Sequence, residues 1–327
     1  MMAGEQSSAV GLPRYEASQA VSIVFICHNK MSALPHVIGA FARNTRRPDL
    51  VVLSDDASTD GSPEVFERLC DQHGLARVVL HHPSDGRGFR LNTLRNDGIA
   101  ACPEGLVVIL DADHVPARTH LEAHRELQLR HEVPTLSTGP RLEYANPDCS
   151  GPINFMWGHE PVSQLQVSHA DPIPSWTGIL ASNMGMAKAA FAALGGFDPR
   201  YDGNYGYDDI DFTFRASAAG VFFAASIEAH VIHIPHPAFD GRQQEVNRRK
   251  FREKYGFELT YPEIVNRLSR RPWSEHYRAL RADGAAPAAA VASSATAVQM
   301  VDLEMVGGRV LARALVRRLA RRLLRRS

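Results

Sequence analysis

The chain has 327 residues, of which 44% are hydrophobic and 22% charged; that is enough apolar material for a packed core, and wholesale disorder is excluded. Lys+Arg and Asp+Glu each number 36, and a net charge of zero disfavours a dedicated nucleic-acid binder, which would be basic. The four cysteines, Cys27, Cys70, Cys102 and Cys149, form no CxxC pair, so reduced thiols and a cytoplasmic location are expected rather than a disulfide scaffold.

Residues 1–20 read as a flexible leader without the basic start and apolar centre of a secretory signal. Short apolar runs then alternate with amphipathic ones. Val21–Ile26, Leu50–Leu53, Arg77–His81 and Leu106–Leu110 read as strands. Between them, Ser32–Arg43 reads as a helix capped by Ser32. A second helix starts at Ser62 with Pro63 in its first turn, and residues 88–100 form a third. This βαβαβαβ order predicts an α/β fold, a Rossmann-like, mostly parallel sheet flanked by helices. Further on, residues 140–175 are rich in Pro, Gly and Asn and read as loops. Ala187–Leu194, Asp208–Ala219 and Gln243–Tyr255 read as helices; Val221–Ala224 and Ala229–Ile234 read as strands.

Ligands of such sheets bind beyond the carboxyl ends of the strands. All four predicted strands run into polar residues there. The first ends at His28-Asn29, the second at Asp55-Asp56, and the fourth at Asp111-Ala112-Asp113; Asp85, Arg87 and Arg90 follow the third. Carboxylates at i and i+2 repel each other, and a hard divalent cation, Mn²⁺ or Mg²⁺, relieves that repulsion. Asp55 and Asp56 can accept from a base N–H or a ribose hydroxyl. Arg87, Arg90 and Arg95 are candidates for diphosphate contacts, since guanidinium matches phosphate oxygens. Neither a GxxxxGK[ST] loop nor a GxGxxG after the first strand is present, which argues against P-loop and dinucleotide chemistry. His120 and His124 lie four apart on a predicted helix, where an exposed face is the expected setting. Trp176 and Tyr207 are the candidate aromatics for a sugar acceptor.

The order VSIVFICHNK, VVLSDDASTDGS, GFRLNTLRNDGIA, LVVILDADH, GGFD and YGYDDIDFTFRASAAG resembles the family 2 glycosyltransferases, nucleotide-sugar enzymes of the GT-A fold. The resemblance spans about residues 20–256. Its later part is similar to the branch with bacterial chondroitin-type polymerases and the polypeptide GalNAc- and galactosyltransferases. It implies that Asp55, Asp56, Arg95 and Asp111 bind the nucleotide sugar, with Asn29, Arg87 and Arg90 as further candidates from their place at the strand ends. It also implies that Asp111, Asp113 and His233 hold the metal, with His236 as the alternative histidine. Asp208 and Asp209 match the family's acid pair, Asp209 as the base, although Asp replaces the usual Glu at 208. The reaction implied is transfer from a nucleotide-diphosphate sugar, with UDP favoured, to a hydroxyl of a glycan, a lipid-linked or another acceptor. Family 2 implies inversion by single displacement, whereas the polypeptide GalNAc relatives retain. A nucleotidyltransferase and a non-catalytic assembly protein that binds sugar nucleotides are the alternatives. The first lacks its basic Gly-rich loop here, and the second would be expected to lose the acids that this chain keeps.

The organisation expected is a nucleotide-sugar-binding half over 21–115, an acceptor half of the same domain over 116–260, a helical extension over 261–283, an Ala-rich linker over 284–308 and a basic helix over 309–327. That last segment holds eight arginines and no acid, which leaves 28 basic against 36 acidic residues in 1–308. Leu311, Leu315, Leu319 and Leu323 recur every four residues. A basic amphipathic helix suits an anionic membrane surface, so peripheral attachment to the inner face is expected.

Overall fold

The computed structural model describes residues 11–86, 88–139, 141–150, 153–155, 171–172, 179–236 and 241–256. Arg87, Trp176, the segments expected over 261–327 and the first ten residues of the leader lie outside them.

The four predicted strands form as β1 (Ala20–Cys27), β2 (Leu50–Asp56), β3 (Arg77–His82) and β4 (Gly105–Asp111). They are joined by α1 (Leu34–Ala42), α2 (Ser62–His73) and α3 (Leu91–Ala101). The chain continues through β5 (His114–Pro116), α4 (His120–Arg130), β6 (Thr135–Thr138), β7 (Arg141–Tyr144), β8 (Ile153–Phe155), β9 (Asp171–Pro172) and β10 (Asn183–Ala187). It ends with α5 (Lys188–Ala193), a 3₁₀ turn at Pro199–Tyr201, α6 (Asp208–Ala218), β11 (Phe222–Ala225), β12 (Val231–His233) and α7 (Gly241–Tyr255).

One sheet runs β3-β2-β1-β4-β10-β6-β11-β9, and a smaller one runs β5-β12-β7-β8. In the first, β3, β2, β1 and β4 are parallel, as the alternation predicts, and β10 turns antiparallel against β4. Continuous apolar runs are what a sheet covered on both faces requires; Leu106–Leu110 is wholly buried. Residues 140–175 are not only loops. They supply three short strands, β7, β8 and β9, paired edge to edge by backbone hydrogen bonds that a Pro- and Gly-rich composition does not advertise. Helix α1 starts two residues later than expected, with Ala33 at its N-cap and no side-chain cap, because the Lys30–Ala33 turn precedes it.

Helix α3 packs directly on β1. A Cβ built at Gly98 would stand 2.3 Å from Val24 Cγ1, and Val24 is fully buried. Gly98→Ala is therefore expected to destabilise the fold by about 1–3 kcal/mol through overpacking, against the roughly 1 kcal/mol that alanine gains in a helix interior. Urea denaturation reads this as a lower midpoint; an unchanged or higher midpoint would contradict the close packing. The start of α3 has no cap of its own. Asp202, 110 residues downstream, supplies one: its carboxylate accepts from the Asn92 and Thr93 backbone N–H at 2.9 and 3.2 Å and from the Thr93 hydroxyl at 2.6 Å. This ties the segment before α6 to the helix that carries Arg95.

Candidate functional site

The strand register aligns the polar ends on one edge. Cys27 lies beside Asp55, Ile26 beside Asp111, and Asp56 beside His82. At the β1 and β2 ends two non-glycine residues adopt left-handed backbone, Asn29 at φ 52° and Ala57 at φ 53°. Such conformations persist only where surroundings impose them. Here the Asn29 N–H donates to Ser58 Oγ at 2.8 Å, and Thr59 N–H donates to Asn29 Oδ1 at 2.8 Å. The imidazole of His28 is held on the Asp56 carbonyl at 2.6 Å.

Asp55 is buried. Its Oδ2 accepts from Ser58 N–H at 3.1 Å, while Oδ1 is buried with no hydrogen-bond partner among the described residues. A buried unsatisfied carboxylate oxygen calls for an explanation, and one explanation is a ligand donor. Asp56 is instead engaged by Arg90, whose guanidinium also reaches the carbonyls of Pro83 and His82 at 2.7 and 2.9 Å. Arg90 thus closes the loop after β3 onto the end of β2, and its donors are committed to protein acceptors rather than held out for a diphosphate.

Arg95 and Asp208 form a buried ion pair, and the Arg95 guanidinium lies 5.1 Å from the centre of the Phe197 ring. Asp208 is thereby paired with a cation. Burial, and then the Asp208 charge, push the Asp209 carboxyl up to about 7. Asp209 accepts from the Ile210 backbone N–H at 2.8 Å. One cleft is lined by Arg95, Asp111, Arg141, Tyr205, Asp208 and Asp209, among others. Two adjacent carboxylates with different environments take different roles, as paired acids do in other sites.

Tyr207 opens α6 in the left-handed region, φ 66°. Although it lines the cleft, it is 3% exposed, and its ring packs 5.8 Å from that of Phe251. Tyr205, 39% exposed, is the aromatic presented at the cleft.

Asp113, His233 and His236 bring ligand atoms within 4.8 Å of one another, and so do Asp111, Asp113 and His114. On a continuous strand, residues three apart such as His233 and His236 face opposite sides. They converge because β12 ends at His233, and beyond it the alternation no longer applies. Burial opposes ionisation of Asp113. The hydrogen bond from His114 and the Lys30 ammonium outweigh it and hold the carboxyl well below the usual range. Lys30 Nζ donates to Asp113 Oδ2 at 2.6 Å, a contact between residues 83 apart that no local pattern announces. Burial and His114 push His233 down to about 2, so its imidazole is neutral, as a ligand must be. His233 Nδ1 is oriented by Glu143 Oε1 at 3.2 Å, the outer-shell carboxylate that metal-bound imidazoles commonly have. One carboxylate and two imidazoles within reach of one another can hold a divalent cation.

His120 and His124 are not on an exposed face. Both are fully buried, with Nε2 3.0 and 3.1 Å from Asn183 Oδ1.

Residues 22–136 match the family described as "Glycosyl transferase family 2". Among solved structures, the fold is similar to S. aureus TarS residues 1–349, with a TM-score of 0.54 at 14% identity over 84% of this chain and 76% of that one. TarS 1–349 has also been solved in complex with UDP-GlcNAc, with a TM-score of 0.55 at 14% identity over 77% of this chain and 71% of that one. GalNAc-T7 with UDP, GalNAc and Mn²⁺ gives a TM-score of 0.57 at 16% identity, covering 83% of this chain and 55% of that one. At these identities the likeness is one of fold. A search of curated protein sequences found no match.

Proposed function

We propose that this chain, whose residues 22–136 match the family 2 glycosyl transferases and whose fold is similar to those of TarS and GalNAc-T7, is a metal-dependent, inverting glycosyltransferase that moves a sugar from a UDP-sugar to a hydroxyl acceptor. The observation that carries this reading is the single cleft shared by Asp111, at the end of β4, and Asp209, at the start of α6. It sets a carboxylate with a raised pKa beside the acidic edge where a nucleotide diphosphate would lie.

Asp55 takes the nucleobase: its unpaired Oδ1 suits an imide N–H, which uracil has and cytosine lacks. Asp113, His233 and His236 would hold the cation, which supplies charge neutralisation at the departing diphosphate. Arg95 keeps Asp208 paired and leaves Asp209 as the acid whose proton affinity lies near neutrality. Asp209 accepts the proton of the acceptor hydroxyl as that oxygen bonds to the anomeric carbon. The bond from that carbon to the diphosphate oxygen breaks in the same displacement, so the configuration inverts. Tyr205 offers its exposed ring to the acceptor sugar.

Calorimetric titration with UDP and a panel of UDP-sugars, with and without Mn²⁺, tests the donor assignment. Binding is expected to tighten with Mn²⁺ and to lose that gain in Asp113→Ala. Indifference of the protein to every uridine nucleotide would sink the reading. The anomeric configuration of the product, read by NMR, tests inversion separately.

A further inference from the structure

The small sheet carries Glu143 on β7 and His233 on β12, while Asp111 and Asp113 follow β4 of the large sheet. A cation centre drawn from both needs the two sheets held in register to within a few tenths of an ångström. The β5–β12 ladder, with His233 opposite His114, and the bond from Ile234 N–H to Asp113 O at 2.9 Å make one tie; a buried side chain makes a second, across the chain just before β7 and β12. Asn183 opens β10 directly opposite Leu110, the residue before Asp111. Its Nδ2 donates to Gly139 O at 3.1 Å and to Ala229 O at 2.9 Å. Gly139 lies two residues before β7, and Ala229 two residues before β12. The two chains approach so closely there that a Cβ at Gly139 would stand 2.1 Å from Ala229 O.

The hydrogen-bond inventory fixes which way the amide faces. Both partners on one side are carbonyl oxygens, which only accept, so Nδ2 must face them and Oδ1 must face His120 and His124. Oδ1 only accepts, so both imidazoles donate through Nε2–H and carry their single proton there. His124 Nδ1 is then an acceptor, and the single Ser137 hydroxyl proton goes to it at 2.8 Å rather than to Gly185 O at 3.1 Å, a carbonyl that Gln128 Nε2 already serves. Gln128 Nε2 completes the set with contacts to Ser137 Oγ at 3.0 Å and Gly185 O at 3.2 Å. Burial also keeps both imidazoles uncharged, with His124 pushed down to about 4 and His120 well below its usual value. The Asn183 backbone is secured too, because Thr138 Oγ1 donates to its carbonyl at 2.6 Å.

We propose that Asn183 is a positioning residue of the cation centre: seated on two neutral histidines, its amide clamps the chain just before β7 and β12 to the large sheet, and so sets His233 against Asp113. The inference rests on the cation reading given above and adds to it a residue that touches neither cation nor substrate.

The test is Mn²⁺ affinity, measured by electron paramagnetic resonance on the full chain, with UDP affinity in the absence of metal as the companion measurement. Asn183→Asp keeps the size of the side chain and removes both N–H donors. It is expected to weaken Mn²⁺ binding by about 10–100-fold, as losses of outer-shell partners do, while metal-free UDP binding at Asp55 is unchanged and excess Mn²⁺ restores turnover. Asn183→Ser, which buries no charge, should move Mn²⁺ affinity in the same direction, and it stands in if the aspartate variant does not fold. In the wild-type protein, ¹⁵N NMR should find His120 and His124 as Nε2–H tautomers. Wild-type Mn²⁺ affinity in a folded Asn183 variant, or an Nδ1–H tautomer at either histidine, would overturn the clamp. Failure of the wild-type protein itself to bind Mn²⁺ would remove the cation reading and the clamp with it, a result distinguishable from the other two.

Discussion

Asp209→Asn is expected to lower kcat by about 10²–10⁴-fold, the range typical of a lost general base, while UDP-sugar binding stays close to wild type. The amide matches the carboxylate in shape and can still accept from Ile210 N–H, so the start of α6 is preserved. What disappears is the proton acceptor. The pH profile gives a second, independent readout. Asp209 titrates at about 7, raised by burial and by the Asp208 charge. A base works only when ionised, so kcat/KM should rise with pH through about 7 and level off above it. Removing the Asp208 charge takes away the second cause, so Asp208→Asn should move that limb to lower pH. The same change leaves the buried Arg95 guanidinium unpaired, and breaking a buried pair costs about 3–5 kcal/mol. Asp208→Asn should therefore also unfold at lower denaturant. An Asp209→Asn enzyme with wild-type turnover, or a rate independent of pH between 5 and 9, would remove Asp209 from the chemistry.

The parts of the molecule that were legible in the sequence are those where local pattern and tertiary demand coincide. A parallel strand buried on both faces must be apolar throughout, so Leu106–Leu110 announces itself, and the acids after it mark the ligand edge. Where the outcome depends on distant partners, the pattern is silent. His120 and His124 have the i, i+4 spacing of either a surface pair or a buried one. What decides between them is Asn183, 63 and 59 residues away. Arg90 has the composition of a phosphate ligand, yet Asp56, 34 residues upstream, engages it. Tyr205 and Tyr207 look equivalent in sequence. The left-handed turn at Tyr207 sends one ring into the core beside Phe251 and leaves the other at the cleft. The short strands β7, β8 and β9 are two to four residues long, below the length at which alternation can be read.

Asp113→Asn is expected to abolish metal-dependent transfer, with a fall of at least about 10²-fold, comparable to the loss of one preorganised charge-stabilising group. Asp113 is the common residue of the centre: both candidate ligand sets among the described residues, with His233 and His236 or with Asp111 and His114, contain it. The geometry favours the first set. His114 Nδ1 is already engaged on Asp113 Oδ1 at 2.8 Å, and its Nε2 is buried with no hydrogen-bond partner among the described residues. His114 therefore orients Asp113 rather than facing the cation, whereas His233 and His236 approach the other oxygen, Oδ2, at 3.8 and 3.6 Å. His236→Ala should accordingly weaken Mn²⁺ binding more than His114→Gln does, and Asp113→Asn should weaken it most; the reverse ranking of the two histidines would assign the second set. Stability carries its own sign. The Asp113 carboxyl is held below its unfolded value, so its contribution is present above about pH 4 and is lost as the pH falls toward its depressed folded value. Asp113→Asn should lower stability at neutral pH, because Lys30 loses its partner, and should blunt the further loss that the wild-type protein shows in acid.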